Sequence, residues 1–308
     1  MKKEASPVSG SGVLRWWLLL SIVLAATTAC ARSMRSISFP LDLFRPENTS
    51  AEELSTSTLE PFQPVTPEEP VMKPVRITVV YNNIAGNPDL ETDWGFSAYI
   101  ETGDEVILFD TGTNGEILLR NMEKLGLDPT SVDYLVFSHL HNDHIGGTAA
   151  LLSTGVQPPA YVLDNFPQGF QQLLAAITEV VVVDSPLEIT DGVYTSGPVT
   201  GEITEQALVL ETSQGLVVVT GCAHPGANRM VAQAKEAVAG EVYLVMGGFH
   251  LGGASATTVE GIIADFRDMG VQNAAPSHCT GEAAMLQIQE AYGEHYLSSG
   301  LGAVIEIP

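Results

Sequence analysis

Between Ser138 and Gly147 the chain reads SHLHNDHIGG, which places three of its seven histidines and one aspartate between His139 and His144. Residues two apart in an extended segment point to the same side, so His139 and His141 can offer two imidazoles to one ion. Asp143 and His144 fall on the turn into a following helix and can face a second ion beside the first. Gly146 and Gly147 let the backbone approach closely. Borderline-soft divalent metals take imidazole nitrogen and carboxylate oxygen at about 2.0–2.2 Å, and a catalytic site keeps one position open for water. A metal held by neutral imidazoles lowers the pKa of its water to about 7. The expected chemistry is therefore hydrolysis by metal-bound hydroxide, with Asp143 holding or deprotonating it. Zinc is the default for this ligand set, as one ion or two, and iron or manganese suits it too.

The elements around this stretch must carry the other donors. RITVVYN, FSAYIET and EVILFDTG read as three consecutive strands, and VDYLVFSH as a buried one. Between them, NGEILLRNMEKLG is predicted as a helix, with Asn114 as N-cap, apolar Ile117, Leu118, Met122 and Leu125, and Gly126 as the stop. YVLD, VVVVD, VYTSG, QALVLET and GLVVVTG read as a second series made only of strands. Helices return in GANRMVAQAKEAVAG and ATTVEGIIADFRDMG, with the strand EVYLVMGG between them. Strand runs on either side of helices predict an α/β (α+β) domain, two sheets face to face with helices outside, in four αββα layers. Six histidines follow a strand or sit in a Gly- or Pro-marked loop: His139, His141, His144, His224, His250 and His278. Strand ends converge on one edge of a sheet, so these six can meet, whereas His295 has no partner nearby in sequence and reads as surface.

The string HLHNDHIGG is the HxHxDH signature of the metallo-β-lactamase superfamily, and LFDTG, about 30 residues earlier, matches its first Asp motif. The combination of DTG, SHLHNDHIGG, TGCAHPG, GGFHL and SHCTG resembles the branch named for dihydropterin–ribofuranosylaminobenzene phosphate synthase, over nearly all of Val75 to Pro308. The resemblance implies a metallo-β-lactamase-type sandwich. It makes His139 and His141 ligands of a first metal, with His224 as their third imidazole, and Asp143 and His144 ligands of a second, completed by His278. Asp110 resembles the buried aspartate that orients ligands through hydrogen bonds. Where many members read TGD, with an aspartate bridging two metals, this chain reads TGC. Cys222 is then either a thiolate ligand or, as favoured here, a small packed residue beside His224. His250 is a candidate for substrate contact or general acid, with a structural loop histidine as the alternative. The family points to phosphate-bearing or pterin-like substrates. The pterin is not carried over, because an exported acidic protein is poorly placed for an intracellular biosynthetic step. Arg229, at the start of a helix, is a candidate phosphate contact and equally a surface residue.

Charge and the N-terminus bound the setting. From Ser36 onward eight basic residues face 36 acidic ones, a balance that repels polyanions and argues against nucleic-acid binding. The expected partner is a small-molecule substrate. Lys2, Lys3 and Arg15 precede an apolar run of 16 residues, Trp16 to Ala31. A span needs about 20 residues, so the run suits an export signal better than a span. TTAC resembles a lipobox with Cys30 as the lipid-bearing residue, although Thr27 stands where leucine is usual. Cleavage after ACA and an uncleaved helix anchor remain open. Residues 32–74, rich in Pro, Glu, Ser and Thr, read as a disordered linker that would space the domain 75–308 from a membrane. Three cysteines define no disulfide framework, although a Cys222–Cys279 bond is conceivable in an oxidising compartment. Besides the hydrolase, two readings stand: a non-catalytic metal-binding lipoprotein and a diiron redox enzyme on the same scaffold.

Overall fold

The computed structural model of the 308-residue chain describes residues 73–103 and 105–308. The expected export or anchor segment and nearly all of the linker lie outside the described residues. The chain opens with strands β1 (Val75–Asn82), β2 (Phe96–Thr102) and β3 (Glu105–Phe109), then helix α1 (Gly115–Leu125) and strand β4 (Tyr134–Val136). Helices α2 (Asn142–Ile145) and α3 (Thr148–Ser153) lead to β5 (Ala160–Leu163), α4 (Gln168–Ala175) and β6 (Val180–Val183). Strands β7 (Leu187–Thr190), β8 (Val193–Thr195), β9 (Leu208–Thr212) and β10 (Gly215–Thr220) follow. The remainder alternates as α5 (Ala227–Ala237), β11 (Val242–Gly248), α6 (Ala256–Asp268), β12 (Asn273–Ser277), α7 (Glu282–Tyr292) and β13 (Val304–Ile307).

Two sheets result. The first has the order β13-β1-β2-β3-β4-β5-β6, antiparallel up to β3 and parallel from β3 to β6. The second has the order β12-β11-β10-β9-β8-β7, antiparallel from β7 to β10 and parallel from β10 to β12. Each parallel step needs a crossover, and the intervening helices supply it. Side-chain alternation shows the layers. Val217 and Val219 of β10 join the apolar core shared with the first sheet, whereas Leu216 and Val218 pack with Met230 and Val231 of α5, Phe266 of α6 and Ile288 of α7. Ile117, Leu118 and Met122 of α1 and Leu151 of α3 cover the first sheet. The architecture is the expected four-layer αββα sandwich.

Helix α1 forms where its sequence signals predict, with the Asn114 side chain accepting from Glu116 N at 2.9 Å and Gly126 as C-cap. The series expected to be all strand is interrupted: NFPQGFQQLLAA contains α4, whose face carries Leu174 to the core. Gly169 and the flanking Pro167 mask that helical period. Strand β12 and helix α7 were not anticipated either. NAAPS has neither alternation nor bulk, and it is a strand because β11 pairs with it in parallel register, buried on both faces.

Candidate metal centre

Asp110 follows β3, His139 follows β4, and Cys222, His250 and His278 follow β10, β11 and β12, so the parallel halves of both sheets deliver their chemistry at their C-terminal ends. Asp110 is fully buried and organises one side. Its Oδ1 accepts from Ser138 N and its Oδ2 from Ser138 Oγ, both at 2.7 Å, and Oδ2 also faces His144 Nδ1 at 2.7 Å. Ser138 Oγ, already donating to Asp110, accepts from His139 Nδ1 at 2.9 Å. On the opposite side, His278 Nδ1 donates to Asn83 Oδ1 at 2.7 Å, while Asn83 Nδ2 donates to the His278 carbonyl. In all three imidazoles Nδ1 carries the hydrogen, which leaves Nε2 as the donor atom for an ion.

Two donor groups converge. His139 Nε2 and His224 Nε2 lie 3.1 and 3.2 Å from His141 Nδ1, bringing three imidazoles from two loops together. Asp143, His144, Cys222 and His278 form the second group, with donor atoms all within 4.8 Å of one another. Within it, Asp143 Oδ2 is 3.3 Å from His278 Nε2 and 3.7 Å from His144 Nε2. Every residue expected as a ligand is thus in one cluster. Cys222 is buried, as expected of a packed small residue, and it also lies among the candidate donors. Its Sγ lies 3.2 Å from His144 Nε2, and it belongs to both the His139–His224 group and the Asp143–His144–His278 group. As a thiolate it would be within reach of an ion held by either group.

The donor set suits divalent metal. His278 Nε2 is buried with no hydrogen-bond partner, an arrangement that costs free energy unless a cation takes the lone pair. Burial and the neighbouring imidazoles hold His139 well below the ordinary histidine range, and burial with His250 nearby lowers His224 to about 4. Both rings are neutral at pH 7 and available as ligands. For His144, burial pulls downward, but Asp110 prevails and raises it to about 8. Against burial, His278 and His144 hold Asp143 well below the usual carboxylate range. A consequence for pH follows. Below pH 8 an ion must displace the His144 proton, and contact with Cys279 together with burial pushes the Cys222 thiol up, so that its proton must be displaced as well. With both as ligands, affinity at the second group is expected to rise about a hundredfold per pH unit from pH 6 to 8 and about tenfold per unit above. Competitive metal titrations across that range test this; a flat profile contradicts it.

Two residues were not legible in the sequence. Glu205 is fully buried, and its Oε1 accepts from the N–H groups of Gly221, Cys222 and Ala223 at 3.1, 2.8 and 2.8 Å, while Oε2 accepts from His224 N at 3.0 Å. It fixes the whole loop that carries Cys222 and His224, although burial lifts its carboxyl to about 7 against those four donors. A glutamate among GEITEQ reads as exposed, and only the fold reveals the four convergent N–H groups. Asn83 is equally silent, one polar residue after a strand. Gly221 allows the close approach: a Cβ there would lie 2.9 Å from Asp110 Oδ2 and closer still to Ser138 Oγ. Among the described residues, four non-glycine residues adopt positive φ, namely Asp110 (59°), Ala223 (59°), His250 (51°) and His278 (49°), all at this site. Such conformations cost on the order of 1–3 kcal/mol each and persist where surrounding bonds impose them.

His250 is exposed, its ring 4.1 Å from that of His224, and contact with Cys279 raises its pKa. Arg229, the candidate phosphate contact, is engaged by main-chain carbonyls. Its guanidinium donates to the carbonyls of Pro225 and Thr200 at 3.1 and 2.9 Å, clasping two loops. His295 is exposed, with Nδ1 3.1 Å from Asn273 Oδ1, away from the cluster.

Residues 95–227 match the metallo-beta-lactamase superfamily. The chain is 26% identical over 283 residues to the 7,8-dihydropterin-6-methyl-4-(beta-D-ribofuranosyl)-aminobenzene-5'-phosphate synthase of Methanocaldococcus jannaschii, covering 75% of this chain and 96% of that protein. A ribonuclease Z of Nanoarchaeum equitans is 32% identical over 110 residues, 34% of each chain. Among solved structures, Tm1679, a metal-dependent hydrolase of the beta-lactamase superfamily, superposes with a TM-score of 0.63 at 26% identity, covering 76% of this chain and 99% of the other. With the two-sheet sandwich and the HxHxDH cluster at its strand ends, the chain carries a metallo-beta-lactamase superfamily domain that resembles the dihydropterin–ribofuranosylaminobenzene phosphate synthase branch.

Proposed function

We propose that the domain is a metal-dependent hydrolase of phosphate-bearing or other ester-like small molecules. The observation that carries this reading is the pair of donor groups meeting at Cys222, with Asp143 reachable from the rim. A divalent ion bound there supplies Lewis-acid polarisation of the bond attacked and a hydroxide near neutral pH. His139, His141 and His224 would hold a first ion, and Asp143, His144, Cys222 and His278 a second. Asp143, a partly exposed carboxylate, accepts a proton from the attacking water or holds it in line. His250, exposed at the rim beside His224, would return a proton to the leaving group. The names of two relatives, one the synthase of a 5'-phosphate and the other a ribonuclease, support a phosphate-bearing substrate. Reading the apolar run Trp16–Ala31 as an export signal supports action outside the cytoplasm, with the protein tethered to a membrane by Cys30 or by the run itself.

Trp94 adds a preference within that class. It is 54% exposed, and its ring centroid lies 5.0 Å from that of His278. An indole left open beside the donor cluster offers a face for a planar ring. Trp94→Ala is expected to raise KM for aryl phosphates about 2- to 10-fold with kcat unchanged, and to leave alkyl phosphates unaffected. Equal effects on both substrates would exclude stacking.

The decisive experiment is metal analysis of the purified chain after reconstitution with zinc, iron or manganese, combined with turnover of phosphoester, ester and lactone panels. Stoichiometric metal with turnover of at least one panel is expected. Metal bound with no turnover would favour a non-catalytic binding protein, and no metal bound would overturn the reading.

A further inference from the structure

Cys279 is a thiol for which the hydrolytic scheme has no use. It is partly exposed, whereas Cys222 is buried, and both are free. Cys279 Sγ lies 3.6 Å from the Cys222 carbonyl oxygen, and the two sulfurs and a ring nitrogen of His250 are all within 4.8 Å of one another. The backbone is arranged to permit this approach. A Cβ on Gly248 would lie 2.7 Å from Cys279 Sγ and 3.1 Å from Cys222 Cα, so any side chain at that position would push the sulfur away. His250, whose ring nitrogen is near both sulfurs, and His278, next to Cys279 in sequence, hold positive φ. One of these sulfurs also belongs to both donor groups of the metal cluster.

We propose that Cys222 and Cys279 form a redox couple that opposes metal binding: joining them as a disulfide withdraws Cys222 from both donor groups. The proposal rests on Cys222 being a shared ligand. The oxidant is a small-molecule disulfide such as oxidised glutathione. Cys279, the accessible thiol, attacks one of its sulfurs as thiolate, forming a mixed disulfide and releasing one glutathione thiolate. Cys222 then attacks the Cys279 sulfur, closing the internal bond and releasing the second glutathione. Two protein thiols are oxidised, one external disulfide is reduced, and the two thiol protons pass to water or to the released thiolates. Bond formation closes the sulfurs to about 2.0 Å, and a sulfur engaged in a disulfide no longer presents the thiolate that binds metal. The competition runs both ways: an ion on Cys222 removes the resolving thiol, and the disulfide removes the ligand.

The test uses the full chain, metal-stripped or zinc-loaded, exposed to oxidised glutathione, with zinc content measured beforehand, thiols titrated over time and the bond located by peptide mapping. In stripped protein a Cys222–Cys279 bond is expected, distinguished by mapping from any bond to Cys30. Zinc is expected to slow its formation at least about tenfold. Oxidised protein is expected to take up less zinc than reduced protein until dithiothreitol restores it. Cys279→Ala should bind as much zinc as the starting protein and keep that capacity after oxidant. The proposal is overturned if no Cys222–Cys279 bond forms, or if zinc is bound and the bond forms at an unchanged rate. Loss of one zinc equivalent in Cys279→Ala also overturns it, since Cys279 would then be a ligand itself. If the reduced chain binds no zinc, the metal reading fails and the coupling fails with it, whatever the thiols do.

Discussion

Replacing His141 with alanine is expected to abolish binding at the three-imidazole group and reduce turnover by more than the roughly 10- to 100-fold typical of losing a partner that merely supports a ligand. His141 Nδ1 is the atom that both His139 Nε2 and His224 Nε2 approach, so its loss leaves those two rings with only Cys222, which is shared with the second group, beside them. The fold should survive. The ring is only half-buried and, although His141 is the N-cap of α2, its side chain makes no capping hydrogen bond there. Metal content, turnover and a thermal melt of the metal-free form separate the effects. Loss of metal and activity with an unchanged melt is the expected pattern, and full metal content would exclude His141 as a ligand.

The second large effect is expected at Glu205. Glu205→Ala leaves four backbone N–H groups without their acceptor in a buried loop. An orphaned buried donor costs about 1–3 kcal/mol, so with partial relief by water the total loss is on the order of 3–6 kcal/mol. For a domain of this size that lowers Tm by roughly 10–20 °C. Cys222 and His224 would lose their fixed positions in the same step, so metal affinity should fall even below the melting range. Glu205→Gln keeps one acceptor oxygen but turns an amide NH2 toward N–H groups, and should fall between alanine and the parent. A melt unchanged by alanine would mean that the four bonds contribute nothing net.

These two residues mark how far the sequence could be read. The candidate ligands were legible because HxHxDH packs four of them into one strand-to-helix turn, because His224 follows the apolar run LVVVTG, and because His278 sits in the Pro- and Gly-marked stretch AAPSHCTG. The helix at Gly115–Leu125 was legible from its cap and its period. Glu205 was not, since its partners are main-chain groups whose convergence exists only after β10 and the loop beyond it have folded. The surroundings of Cys222 were hidden for a related reason. A lone cysteine beside a histidine is usually inert packing, and its membership in two donor groups depends on the first sheet bringing His139 and His144 to meet it. Helix α4 was lost to Pro and Gly at its start, and β12 to a composition that only its pairing with β11 explains.

The donors come from both halves of the sandwich: His139, His141, Asp143 and His144 follow β4 of the first sheet, and Cys222, His224 and His278 follow β10 and β12 of the second. A cation seated among them would therefore be a rivet through the seam, gripping the two leaves at the rim. Its binding free energy adds directly to resistance against unfolding, by about 4 kcal/mol at a thousandfold excess over the dissociation constant. Heat tolerance would then report which ion the protein has acquired, before any substrate is known.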